Sequence, residues 1–278
     1  MQDIIIDALL DTLKLIPYLL VTFLILEFLE HKLNKKTEKI LTKSKKYGPV
    51  LGGVLGGLPQ CGFSAMASKF FSGHVITLGT VVAIFLSTSD EMLPIMLSEQ
   101  VDIMLVLKII GFKVLVGIIV GLIIDLFYKR KENENNISDL CEHDHCHCEK
   151  EGILKSSIMH TLKTVIFILI ANLLIGFIIY FIGEDSIKEV LLNKSLLTYF
   201  ISSLIGLIPN CAPSVILTEL YLSHLITIGT LLSGLLTGSG LGILLLFKSN
   251  KNLKENLTIL SIIYVVGVII GIIIDLFI

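Results

Sequence analysis

Four stretches of mostly apolar residues, each about 20 residues or longer, run through the chain at roughly 4–29, 103–128, 158–182 and 257–278. A helix of that length crosses the hydrocarbon of a bilayer, where every backbone N–H and C=O must find its partner inside the chain. Four such runs leave few folds open. Between them lie two longer apolar regions, 48–98 and 196–247, each interrupted by Gly, Pro and small polar residues. Each is long enough for two or three short segments rather than one clean helix. Composition agrees: 54% of residues are hydrophobic, 17% are charged, and the mean hydropathy is +0.86. A soluble domain carries about 25% charge. A nucleic-acid binder, a secreted disulfide scaffold and a cytosolic enzyme are therefore excluded. The net charge of −2 points to no partner, and with Trp absent, Tyr, Phe and Lys must anchor the interface. Residues 1–7 are acidic and lack a basic leader, so the first run is expected to be a retained span, not a signal peptide.

The chain is an internal duplication. Residues 56–127 align with 206–277 at a constant offset of 150, without a gap. Gly56/Gly206, Pro59/Pro209, Cys61/Cys211, Ser64/Ser214, His74/His224, Thr77/Thr227, Gly79/Gly229 and Ser89/Ser239 match. The last run repeats Gly117/Gly267, Gly121/Gly271 and Ile-Ile-Asp-Leu-Phe at 123–127 and 273–277. Apolar composition can align Ile and Leu by chance, but not Pro, Cys and His in one register.

Charge sets the orientation of each half. Cytoplasmic loops are enriched in Lys and Arg. Loop 31–47 carries Lys32, Lys35, Lys36, Lys39, Lys43, Lys45 and Lys46, whereas its counterpart 183–195 has Lys188 and Lys194 beside Glu184, Asp185 and Glu189. Further along the bias reverses. Segment 98–103 holds Glu99 and Asp102, and its counterpart 248–256 holds Lys248, Lys251 and Lys254. Loops 31–47, 129–157 and 248–256 are thus expected in the cytoplasm and both termini outside, in a multi-pass protein of the cell membrane. Equivalent loops then face opposite sides. The expected fold is an all-α integral membrane protein of two inverted-topology repeats. Each has about five membrane segments, with broken or re-entrant helices at the repeat interface. Residues 1–128 form the first repeat, 129–157 a cytoplasmic linker and 158–278 the second repeat. This is transporter architecture, in which broken helices offer free backbone groups at one central site.

Each half carries a breaker motif, Leu58-Pro59-Gln60-Cys61-Gly62-Phe63-Ser64 and Ile208-Pro209-Asn210-Cys211-Ala212-Pro213-Ser214. Proline removes a donor and opens the helix. Gln60 and Asn210 then offer amide oxygens, Cys61 and Cys211 sulfur, and Ser64 and Ser214 hydroxyls. A pair of kinks with inert, buried Cys is the alternative; two breaks in register, each with an amide, favour a cargo site. The second breaks read Ser87-Thr88-Ser89-Asp90-Glu91 and Thr237-Gly238-Ser239-Gly240. Hydroxyls and free carbonyls there suit a cation. Asp90 and Glu91 are either intramembrane acids on an ion or proton path or residues near the outer surface. Glu219 falls under the same question, with Lys69 as its repeat counterpart. His74 and His224 are proton-shuttle candidates, with a plain interfacial position as the alternative; Asp90 is a third candidate for proton coupling. Asp125 and Asp275, near helix ends, are expected at the interface. Lys14, Lys108, Lys113 and Lys163 are expected to snorkel or pair.

The linker has its own chemistry. Cys141, His143, Asp144, His145, Cys146, His147 and Cys148 crowd into one short run with Glu142 and Glu149. The spacing is not that of a zinc finger, but the density of soft and borderline ligands reads as a flexible metal-capture tract. A solvated acidic linker is the alternative. Zinc, copper, cobalt or nickel would suit it better than manganese. A reducing cytoplasm keeps its thiols free, so no structural disulfide is expected.

The inverted halves, the two Pro-x-Cys motifs and the Ser-Thr-Ser-Asp-Glu run at 87–91 together resemble the ten-span heavy-metal exporters. That family is related by name to arsenic efflux permeases, and its members also carry the label of manganese transporters. The resemblance covers nearly the whole chain. It implies a secondary, ion-coupled exporter. No Gly-Lys pair occurs, so there is no P-loop and ATP hydrolysis is not expected. No cofactor is expected beside the transported ion. Its partners would be a metal or metalloid ion and the lipid bilayer, with no nucleic acid; a homodimer is compatible with the sequence. Acids and amides tip the cargo towards a divalent cation such as manganese, exported against protons. Trivalent arsenic or an organoarsenical is the runner-up, because Cys61 and Cys211 offer two membrane thiols where arsenite prefers three. A metal sensor or an intramembrane enzyme is the alternative of another class; His-Glu-x-x-His is absent.

Overall fold

The computed structural model describes residues 47–57, 61–88, 92–128, 196–210 and 212–277, together with single positions between 9 and 24 and between 154 and 177. Those single positions are helical. The remaining described chain forms ten helices. In the first half they are α1 (Gly48–Gly56), α2 (Cys61–Ser72), α3 (Leu78–Ser87), α4 (Met92–Ser98) and α5 (Ile103–Phe127). In the second half they are α6 (Leu197–Gly206), α7 (Ala212–Leu222), α8 (Ile228–Thr237), α9 (Leu241–Ser249) and α10 (Leu253–Phe277). No strand occurs among the described residues. The segment 103–128 is thus one continuous helix, whereas 48–98 and 196–247 are broken into short ones, as the Gly and Pro punctuation predicts.

Three described stretches, α5, Ile228–Ser249 and α10, are long and apolar enough to cross a membrane. Their surroundings differ. In α5 and α10 only 28% of the most apolar window is buried, against 78% in Ile228–Ser249. Leu107, Leu115, Ile119, Ile123, Leu257, Val265, Ile269 and Ile273 all face outward. A soluble protein could not afford such apolar flanks, but lipid tails cover them. The chain is a membrane protein, and its α8–α9 segment lies in the middle of the bundle.

Small residues set the packing. Helices in lipid gain little from burying apolar area, so close backbone approach decides which faces meet. Within each half the same trio packs together, α1 with α3 and α5, and α6 with α8 and α10. A Cβ added at Gly117 would lie 2.7 Å from the Ala83 carbonyl oxygen, and one added at Gly267 would lie 2.7 Å from that of Ser233. One helical turn on, Gly121 approaches the Gly79 carbonyl at 2.5 Å and Gly271 that of Gly229 at 2.7 Å by the same measure. The other face of α3 meets a glycine row, Gly48, Gly52 and Gly56. Its counterparts in α6 are Thr198, Ser202 and Gly206, and here Ser202 Oγ donates to the Thr230 carbonyl at 2.8 Å.

Between the halves the contacts exchange. The helix after the first break of one half packs on the helix after the second break of the other: α2 on α9, and α7 on α4. The α3 helix also touches α8 and α10. Gly242 is the tight point of the α2–α9 crossing, where an added Cβ would stand 2.7 Å from Ser64 Cβ and 2.8 Å from Phe85 Cε1. Ser68 Oγ spans the same crossing, donating to the Gly242 carbonyl at 2.6 Å. The duplication visible in the sequence is therefore a duplication of packing.

Candidate functional site

In each half a short gap separates the first two of its short helices. The α1 helix stops at Gly56 and α2 starts at Cys61; α6 stops at Gly206 and α7 starts at Ala212. The first breaks thus fall where the Pro-x-Cys motifs predict. In the second half, Asn210 Oδ1 accepts from the Ala212 N–H at 3.3 Å, so the amide satisfies one of the orphan donors that open α7. The second breaks follow α3 and α8. Ser87 Oγ, Thr88 Oγ1 and Thr237 Oγ1 each donate to a carbonyl three or four residues back, at 2.7 to 2.8 Å for the best of these bonds. Each of these bonds folds the hydroxyl proton back onto its own helix. Ser214 Oγ lies 3.4 Å from the position of a Cβ on Gly238, which brings the first and second breaks of the second half together.

Ser239 is the exception among these hydroxyls. It is 0% exposed, and its Oγ has no hydrogen-bond partner. It sits between Gly238 and Gly240, in a three-residue gap between α8 and α9. Gly240 has φ 53°, ψ −138°, a conformation open to glycine and strained for other residues. An unpaired buried hydroxyl costs about 1–3 kcal/mol. Among the described residues, Ser249 Oγ at the end of α9 is the other buried side-chain oxygen without a partner, but it does not share the glycine-held break.

The opposite ends of α3 and α8 are closed by acids. Thr77 caps α3, its Oγ1 accepting from the Thr80 N–H at 3.1 Å, and Thr227 caps α8 through Thr230 N–H at 3.2 Å. Asp125 Oδ2 accepts from Thr77 Oγ1 at 2.6 Å and its Oδ1 from the Gly79 N–H at 2.8 Å. Asp275 repeats this with Thr227 Oγ1 and with the Gly229 N–H at 2.9 Å, and adds Tyr199 Oη at 2.8 Å. A carboxylate at a helix N-terminus meets free N–H groups and the positive end of the dipole. The expectation that these aspartates merely mark an interface misses this clamp, which ties the last helix of each half to its central one.

Of the two outcomes expected for Lys113, snorkelling or pairing, the structure shows pairing. It is 0% exposed at the middle of α5, and its Nζ donates to the Thr88 carbonyl at the C-terminal end of α3. The repeat counterpart is Ile263, equally buried in the apolar core. The two halves thus differ in charge at corresponding central positions.

The remaining expected residues scatter. Ser64 is buried at the α2–α9 crossing, while Glu219 is exposed and Lys69 is buried. His74 and His224 both have φ 57°. Each ends a helix in a Schellman turn, with Val75 N–H on the Phe70 carbonyl and Leu225 N–H on the Leu220 carbonyl, both at 2.9 Å. Gln60, Ser89, Asp90, Glu91, Cys211, the side chain of Cys61 and the whole run from Cys141 to Cys148 lie outside the described residues. Among the described residues, no group of three or more His, Cys, Asp or Glu could hold a metal ion. Two features were not singled out from sequence. One is the Lys113/Ile263 contrast, which a comparison of the repeats for unmatched charge would have exposed. The other is a buried knot at the start of α10, where Asn250 Nδ2 donates to Glu255 Oε2 at 3.2 Å and to Asn256 Oδ1 at 2.8 Å.

A family model described as "Putative, 10TM heavy-metal exporter" matches residues 1–200 and again 136–241, so that the two matches together run over most of the chain. The chain belongs to this exporter family. No curated protein and no solved structure matches it. The family is one of transporters, not of enzymes, and its description agrees with the apolar helices in placing the chain in a membrane. Heavy-metal ions are what an exporter of this family would handle.

Proposed function

We propose that this exporter is a secondary transporter carrying a divalent heavy-metal cation, manganese among the candidates, out of the cytoplasm against protons. The observation that carries the reading is Ser239, a fully buried hydroxyl without a partner inside the glycine-held gap between α8 and α9. Oxygen ligands suit manganese. The oxygens of Thr237 and Ser239, with those of Ser87, Thr88, Ser214 and Asn210, supply the described part of the set. Gln60, Ser89, Asp90 and Glu91 complete it in this reading, and Cys61 and Cys211 supply softer ligands; the exposed Glu219 stands outside it. The repeats are inverted, so the two halves rock about the central breaks and expose the ion to each side in turn. His74, His224 and Asp90 are the proton carriers. The linker from Cys141 through His143, Asp144, His145, Cys146 and His147 to Cys148 captures metal on the cytoplasmic side.

The test is the metal content of cells expressing wild type, Ser239→Ala, Asp90→Asn and the Cys61→Ala/Cys211→Ala pair, after loading with manganese or arsenite. Wild type should lower cellular manganese. Ser239→Ala should raise the manganese needed for half-maximal export roughly tenfold, the loss of about one hydrogen-bonded ligand. A Cys pair that loses arsenite resistance alone, with manganese unaffected, would replace the cation by the metalloid. No change in any metal or metalloid would remove the exporter reading altogether.

A further inference from the structure

The two halves pack the same three helices but do not fasten them in the same way. In the second half, four side-chain hydrogen bonds tie α6 to its neighbours. Ser202 Oγ donates to the Thr230 carbonyl of α8 at 2.8 Å, and Ser203 Oγ to the Ser233 carbonyl at 3.2 Å. Tyr199 Oη donates to Asp275 of α10 at 2.8 Å, and Tyr264 Oη of α10 donates back to the Phe200 carbonyl at 3.3 Å. In the first half the positions of these donors hold Gly52, Gly53, Pro49 and Val114. Helix α1 has no polar side chain, and among the described residues no side-chain hydrogen bond reaches it.

Hydrogen bonds between helices act as glue in lipid, where apolar contact alone gains little over contact with lipid tails. The α1 helix has close packing and no glue. Its Gly52 and Gly53 lie against Thr80, Ile84 and Ile118, and a glycine brings no side chain to lock into a groove. The helix is also weak in itself. Four of its nine residues are glycine, the poorest helix former after proline, whereas α6 has one glycine in ten residues. We propose that α1 is the moving gate of the exporter: it slides over α3 and α5, while α6 stays pinned. Shear between packed helices is easiest where no bond must break. The first break follows α1 directly, so the yielding half is the one that carries the Pro59 motif. The second half, with Asn210, Thr237 and Ser239, holds the ion while α1 moves. The inference rests on the exporter reading for what the motion serves, but not for which helix moves.

The experiment follows backbone hydrogen exchange of the purified full chain in detergent by mass spectrometry, with Mn²⁺ export from cells measured in parallel. Corrected for intrinsic rates, amides of α1 should exchange roughly tenfold faster than those of α6, the equivalent of two or three interhelical bonds. Ser202→Ala/Ser203→Ala removes two pins and should raise exchange in α6 towards that of α1. Gly52→Ser gives α1 the pin that Ser202 gives α6. A Cβ there meets the side-chain atoms Ile84 Cγ1 at 3.0 Å and Thr80 Cγ2 at 3.1 Å, and the Thr80 carbonyl oxygen, the acceptor for the new hydroxyl, at 3.2 Å. This variant should slow exchange in α1 and cut export roughly tenfold. Gly52→Ala, which adds the Cβ without the hydroxyl, should do less. Equal exchange in α1 and α6, an α6 unmoved by loss of both serines, or an equal effect from Gly52→Ala would overturn the proposal. So would full export by a Gly52→Ser protein whose α1 has slowed, a result that spares the exporter reading. Faster exchange in α1, with no effect of wild type on cellular Mn²⁺, sinks the exporter and keeps α1 as the yielding helix. If Gly52→Ser does not fold, the wild-type comparison and the serine pair decide.

Discussion

Asp125 shows how much one side chain holds. Its carboxylate joins α5 to the start of α3 through Gly79 N–H and Thr77 Oγ1. A hydrogen bond to a charged group contributes about 1.5–3 kcal/mol, less where water competes. Asp125→Ala should therefore cost about 2 kcal/mol and lower the thermal midpoint in detergent, and Asp125→Asn should cost less, because Asn keeps one acceptor. At Asp275 the alanine change should cost more than at Asp125, since Tyr199 loses its acceptor too; Tyr199→Phe should remove that difference. Gly121 and Gly271 test the backbone approach beside these clamps. Alanine at either puts a Cβ on an opposing carbonyl that cannot retreat, at a cost of about 1–3 kcal/mol, readable as loss of monodisperse protein after solubilisation. The sequence showed that these positions repeat, but not why. Aspartate near a helix end looks the same whether it faces headgroups or caps a neighbouring helix, because its partner lies 46 residues away in the chain. For Lys113 the sequence left snorkelling and pairing both open, because its acceptor, the Thr88 carbonyl, lies 25 residues away in the chain.

At the scale of helices, the breaks were legible and the stops were not. Proline and glycine act on their own backbone, so Pro59 and Pro209 announced the gaps that follow α1 and α6. Thr77 and Thr227 were legible only as a matched pair; that they cap α3 and α8 came from the structure. The ends of α2 and α7 carry no glycine where a Schellman turn favours one. They use His74 and His224 at φ 57° instead. An L-residue in the left-handed region costs about 1–2 kcal/mol, so His74→Gly and His224→Gly should hold or raise the thermal midpoint, by the equivalent of about 1 kcal/mol each. A β-branched Val at either place should lower it. The Gly variants also isolate the imidazoles. If these carry protons, the pH dependence of flux should flatten in the Gly double mutant without any loss of stability; a profile identical to wild type would leave the two histidines as helix stops only.

For the whole molecule, the repeat set the architecture. The exchange of contacts, α2 with α9 and α7 with α4, is what two copies of one unit must do when each completes the other. Exchange alone does not fix how the copies stand in the bilayer. Parallel copies would point the C-terminal ends of α3 and α8 to the same side, and inverted copies would point them towards each other's side, with the ion between them. Only the inverted form gives two mirror-related states of similar energy, one open to each face. The lysines of 31–47 and of 248–256, set against the acids of 183–195 and 98–103, argue for inversion. Single cysteines placed in a cysteine-free chain should therefore react with a membrane-impermeant maleimide from outside at 183–195, and only after permeabilisation at 31–47 and 248–256. Labelling of 31–47 and 183–195 from the same side would make the copies parallel. The ends of α3 and α8 would then face one compartment, and a bound cation between them would have no route to the other.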